Sequence, residues 1–119
     1  MLKRSPFQSA LKRASDAIAR ALDPWWGSDG TYLEAAKSEV EDIAIVLVDK
    51  GRIDRIQYNS ELMQIEFRKS TREVLASLTI EGEMCTPLNA IVWHSSLSED
   101  ERSLFERMLP VPVEFRHAA

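Results

Sequence analysis

Cysteine is almost missing from this chain. Cys85 is the only one, so no internal disulfide can form and a disulfide-stapled scaffold is excluded. Histidine is nearly as scarce, represented by His94 and His117, and no Cys or His pair has zinc-site spacing. Four glycines leave little material for a backbone phosphate cradle, and neither Gly-x-Gly-x-x-Gly nor a Walker-type loop occurs. No cofactor and no metal are therefore expected. Long apolar runs are also lacking: the longest, Ile43 to Val48, is six residues, against the roughly 20 a spanning helix needs. No membrane partner is expected.

What remains is ordinary globular material, with 45% hydrophobic and 29% charged residues in 119, enough for a core without metal or staples. The formal charge of −4 is unevenly spread. Residues 1–24 carry five bases against two acids, and residues 25–49 one base against six acids. Residues 50–72 carry six bases against three acids, and residues 73–119 three against eight. An acidic total argues against general attraction to nucleic acid or anionic lipid, while the two basic blocks leave a local basic surface open. The N-terminus (Lys3, Arg4, Ser5, Ser9, Lys12, Arg13) has the basic, acid-poor look of a transit peptide but lacks a secretory apolar core. Folding with the rest of the chain and a cytoplasmic location are the expectation.

Hydrophobic periodicity sets the elements. Ser5-Pro6 caps a helix whose stripe is Phe7, Leu11, Ala14, Ile18 and Ala21, ended by Asp23-Pro24. Thr31 with Glu34 makes a capping box, and Lys50-Gly51 a stop, predicting one helix over 32–50. The Ile43–Val48 run also fits a central strand. From Gly51 the period falls to two. Ile56 and Tyr58 share one face, Asn59-Ser60 turns, and Met63, Ile65 and Phe67 line the next strand. After a polar break at Lys69–Arg72, Val74, Ala76, Leu78 and Ile80 alternate; a competing capping box, Ser70 with Glu73, offers a helix over 71–79 instead. Thr86-Pro87 predicts another helical turn through Ile91, Val92 and Trp93. Ser98 with Glu101 caps a helix presenting Leu104, Phe105, Met108 and Leu109, ended by Pro110; Val111–Phe115 is edge strand or coil. The expected fold is one α+β domain over residues 1–119. It has a three-stranded, or at most four-stranded, antiparallel sheet with about four helices mainly on one face.

Three groups of residues carry functional readings. The loop Asp23–Gly30 holds adjacent Trp25 and Trp26, which do not easily enter one core together, and Trp is an interface anchor. With Asp29, Glu34, Glu41 and Asp42 it forms an acid-rimmed contact surface suited to a basic partner protein. The block Lys50, Arg52, Arg55, Arg68, Lys69 and Arg72, interleaved with Tyr58 and Phe67, is the alternative: a sheet that binds nucleic acid. Cys85, just before an expected helix, with His94 about two turns on, is the Cys/His-enzyme alternative. Glu39 with Asp42 has helical spacing for a hard cation but no calcium-loop pattern, and Glu99, Asp100 and Glu101 suit a helix first turn. His117 reads as a surface residue. The expected function is a small non-catalytic protein-binding module, of the inhibitor, immunity-protein or chaperone kind. Self-association through the Trp25-Trp26 loop or the Pro110–Phe115 edge stays open.

Overall fold

The computed structural model describes residues 36–59, 61–70, 72–83 and 86–118. The helix expected near residues 5–22 and the Thr31–Glu34 capping box lie outside them.

Helix α1 runs Lys37–Asp49, so the Ile43–Val48 run is helical. Val40, Ile43, Ala44 and Leu47 are buried, while Val46 and Val48 are half-buried against the same core. The run is therefore not buried on every side; one face of the helix carries the packing. Gly51, at φ 72°, ends the helix as expected. Its N–H donates to the Val48 carbonyl (3.0 Å) and that of Arg52 to the Leu47 carbonyl (2.9 Å), the paired bonds of a Schellman cap.

Five strands follow α1: β1 Arg55–Asn59, β2 Gln64–Lys69, β3 Glu73–Glu83, β4 Thr86–His94 and β5 Val113–His117, with α2 at Glu99–Met108 between β4 and β5. Their order in space is their order in sequence. The first four form an antiparallel meander, and β5 lies parallel to β4. A parallel neighbour needs a crossover, and α2 is that crossover. The α+β class stands. The expected three- or four-stranded antiparallel sheet with four helices is corrected to a five-stranded mixed sheet, with two helices among the described residues.

The largest correction is residues 86–94, where Thr86-Pro87 favours a helix start but a strand forms. Ala90 and Val92 face the core beside Ile80 and Leu78, so pairing with β3 recruits an apolar run that a short helix would leave half exposed. Pro87 sits opposite Gly82, beside the irregularity between Glu81 and Gly82, where a missing N–H is tolerated. The extended-or-coil segment after Pro110 resolves as β5. The Ser70–Glu73 helix does not form; β3 occupies its place.

Both helices pack on one face of the sheet. Register places Ile56, Ile65, Phe67, Leu78, Ile80, Ala90 and Val92 on that face, closing over Ile43, Leu47, Leu104 and Phe105. Phe67 meets Phe105 edge-on at 5.4 Å. A register shift after Phe67 sets Arg68 opposite Val74, so Leu75 is buried and Val74 is exposed, correcting Val74 as a core residue. Met63 likewise leaves its expected place in β2. It lies in the turn with φ 54°.

Candidate functional site

Of the expected contact surface, Trp25, Trp26, Asp29 and Glu34 lie outside the described residues. Asp42 is exposed and Glu41 half-buried on α1, away from the core stripe at Val40, Ile43, Ala44 and Leu47.

The basic block is brought to one end of the sheet, where the α1–β1 connection meets the β2–β3 turn. Most of it is engaged internally. Arg52 grips Glu101, with Nε–Oε2 at 2.6 Å and Nη2–Oε1 at 3.2 Å, and donates to the Ser96 carbonyl. The Glu101 hydrogen bond is the main reason the Arg52 guanidinium is held above its ordinary pKa, against the pull of burial. Arg55 pairs with Asp54 and Arg68 with Glu66, both at 2.9 Å, and Lys69 Nζ donates to the Gly51 carbonyl. Burial pushes the Asp54 carboxyl up, but the Ser70 N–H and Arg55 together hold it below its ordinary value. Lys50 and Arg72 are exposed. Phe67 is fully buried and Tyr58 packs against the core, both on the helix side, whereas the Arg55–Arg68 register pair lies on the opposite face. The bases and the aromatics thus do not form one stacking surface.

The helix expected to carry the Cys/His pair is a strand at 86–94. Thr86 and His94 stand at opposite ends of β4, which at strand rise puts them about 26 Å apart. Cys85 lies outside the described residues, so of this pair only His94 is placed. His94 sits against Phe115 (5.7 Å, edge-on). Its Nδ1 is buried without a hydrogen-bond partner, and burial, then Arg102 and His117, hold its pKa below the ordinary value. Among the described residues no group of three His, Cys, Asp or Glu could hold a metal ion. No helix among them is long and apolar enough to cross a membrane.

The surface that sequence reasoning missed is the opposite end of the sheet. Leu62 is 62% exposed, Met63 53% and Leu88 52%. The topology carries all three to the end where the β1–β2 and β3–β4 hairpins turn. Asn59 builds the first turn, its Oδ1 accepting from the Glu61 and Leu62 N–H groups at 3.1 Å. Left-handed Met63 completes it. Glu61, Glu81 and Glu83 are exposed in the same two hairpins, which contain no Lys or Arg between 61 and 64 or between 80 and 90. The available signal was Leu62-Met63 one residue past the Asn59-Ser60 turn and Leu88 straight after Thr86-Pro87; of the three, alternation gave only Met63 to the core.

The second sheet face is polar. Glu66 is buried there, accepting from Asn59 Nδ2 (3.2 Å) and Arg68 Nε (2.9 Å), and Arg116 lies 5.9 Å over the Trp93 ring. Between β4 and β5 on this side a shallow groove of about 280 Å³ is lined by Glu81, Asn89, Ile91 and Glu114 among others.

Comparison with family models, with curated proteins and with solved structures finds no match to this chain.

Proposed function

We propose that this protein is a small non-catalytic protein-binding module that holds a partner of basic charge. The supporting observation is the hairpin end of the sheet, where Leu62, Met63 and Leu88 stand more than half exposed in the two hairpins that also carry exposed Glu61, Glu81 and Glu83. Large apolar side chains standing in solvent gain when another surface covers them. Carboxylates around such a group steer a basic partner and repel the phosphates of nucleic acid or anionic lipid. The acidic face of α1 at Glu41 and Asp42 has the same sign, and the loop with Trp25, Trp26, Asp29 and Glu34 belongs to the same proposal as a second contact. An inhibitor, an immunity protein or a chaperone of another protein would all use such a surface.

The test combines Leu62→Asp with Leu88→Asp. Both side chains face solvent, so the melting temperature should move little. Retention of the cognate partner, captured from source lysate with the wild type and quantified, should fall at least about tenfold, equivalent to about 1.4 kcal/mol. Unchanged retention by a folded double variant refutes the hairpin-end site, and loss in Trp25→Ala or Trp26→Ala alone assigns contact to the other loop.

A further inference from the structure

The outer edge of β5 is unpaired among the described residues, and its sequence is complementary to itself. The Ala90 N–H donates to the Pro112 carbonyl and the Ala118 N–H to the His94 carbonyl, both at 2.9 Å, with Ala90 in register with Val113 and His94 with His117. In a parallel ladder this alternation commits the backbone groups of Pro112, Glu114, Arg116 and Ala118 to β4. The N–H and C=O groups of Val113, Phe115 and His117 therefore point outward.

From this we infer that β5 pairs antiparallel with β5 of a second copy of the chain, joining two five-stranded sheets across a two-fold axis at Phe115. Only odd-numbered residues present outward groups, so three central registers are available. One sets Phe115 against its symmetry mate, Val113 against His117 of the other copy, and Glu114 against Arg116 in both directions. Shifting inward by one step sets Glu114 against Glu114, and shifting outward sets Arg116 against Arg116. Like charges directly opposite on a sheet are unfavourable and opposite charges favourable, so the charge pattern selects the Phe115-centred register. That register forms about six backbone hydrogen bonds. On the helix side it brings together Val113 and Phe115, which are half-buried against the core. Charged edges ordinarily keep sheets apart, but here the charges alternate in sign. The other edge strand, β1, has no such pattern: antiparallel pairing about Gln57 sets Arg55 against Asn59.

The exchange costs little within each copy. Glu114 and Arg116 already form an ion pair along the strand, Nε–Oε2 2.6 Å, with side chains 56% and 51% exposed. In the dimer each turns to the partner strand. A contact of one five-residue edge is at the small end of specific interfaces, so the dimer is weak and depends on concentration. This inference is independent of the hairpin-end reading, because β5 and the turns at Leu62 and Leu88 share no residues.

Sedimentation velocity over about 5 µM to 1 mM tests it. The wild type should pass from monomer to dimer across that range. Glu114→Arg sets Arg against Arg116 of the other copy and should weaken association about tenfold or more. Arg116→Glu should do the same and serves if the first variant folds poorly. The double swap Glu114→Arg with Arg116→Glu restores opposite charges and should recover wild-type association. A wild type that stays monomeric throughout overturns the inference. So does a dimer indifferent to the single variants, or a folded double swap that fails to re-associate.

Discussion

The contact between Arg52 and Glu101 joins segments 49 residues apart and should be the most informative polar interaction to break. The Schellman cap of α1 directs Arg52 toward α2, whose third residue is Glu101. Glu101 also closes the capping box, with Oε1 accepting from the Ser98 N–H at 2.9 Å while Ser98 Oγ accepts from the Glu101 N–H at 3.2 Å. Its side chain is 4% exposed and that of Arg52 38%. Exposed pairs contribute up to about 1 kcal/mol. Removing one partner of a fully buried pair costs about 3–5 kcal/mol. With one end buried and the other partly solvated, Arg52→Ala should cost about 2 kcal/mol, or about 8 °C in melting temperature for a chain of this length. Glu101→Ala also loses the capping box and should cost about 1 kcal/mol more. The double variant should cost well under the sum of the two, with a coupling of about 1 kcal/mol or more. Urea and thermal melts of the four proteins measure this. Acid provides a second readout. Burial pushes the Glu101 carboxyl up, but Arg52 and the Ser98 N–H outweigh it and hold the folded value below the ordinary 4.5. A depressed carboxyl stabilises the fold above its unfolded pKa, and that contribution is lost as pH falls through the folded value. The gap between wild type and Arg52→Ala should therefore close below about pH 4. A coupling under about 0.5 kcal/mol, or a gap unchanged by acid, would refute the assignment.

Two other perturbations test the sheet. A Cβ on Gly82 would run into the Thr86 carbonyl oxygen and come within 2.9 Å of Pro87 Cα, both backbone, so Gly82→Ala should cost about 1–3 kcal/mol in a urea melt. A variant as stable as wild type would mean that the β3–β4 irregularity is not held as described. His94, held below its ordinary pKa by burial and by Arg102 and His117, favours the folded state only while neutral. Stability should decline as pH falls from about 6.5 through the lower folded value, and His94→Gln should flatten that decline in melting curves taken from about pH 7 to 5. Equal slopes for the two proteins would rule it out.

Local chemistry alone determined a good part of this molecule. Gly51 stops α1 because a left-handed residue was required there, Ser98 and Glu101 start α2 by satisfying each other's N–H groups, and alternation marks Ile65 with Phe67 and Leu78 with Ile80. Each of these signals acts within a few residues. Tertiary pairing decided the rest. Residues 86–94 carry a helix-start signal of modest strength, and the ladder with β3 and β5 outweighs it because both neighbours satisfy the backbone and cover Ala90 and Val92. β5 could be read as an edge from the prolines just before it, but its parallel partner depends on α2 carrying the chain back across the sheet. The register shift that exchanges Val74 for Leu75 is equally silent in the pattern, since one extra residue reverses every inward and outward assignment beyond it. Function followed the same division. Acidic charge pointed to a basic partner, whereas exposure of Leu62, Met63 and Leu88 at one end of the sheet depends on two hairpins turning at that same end.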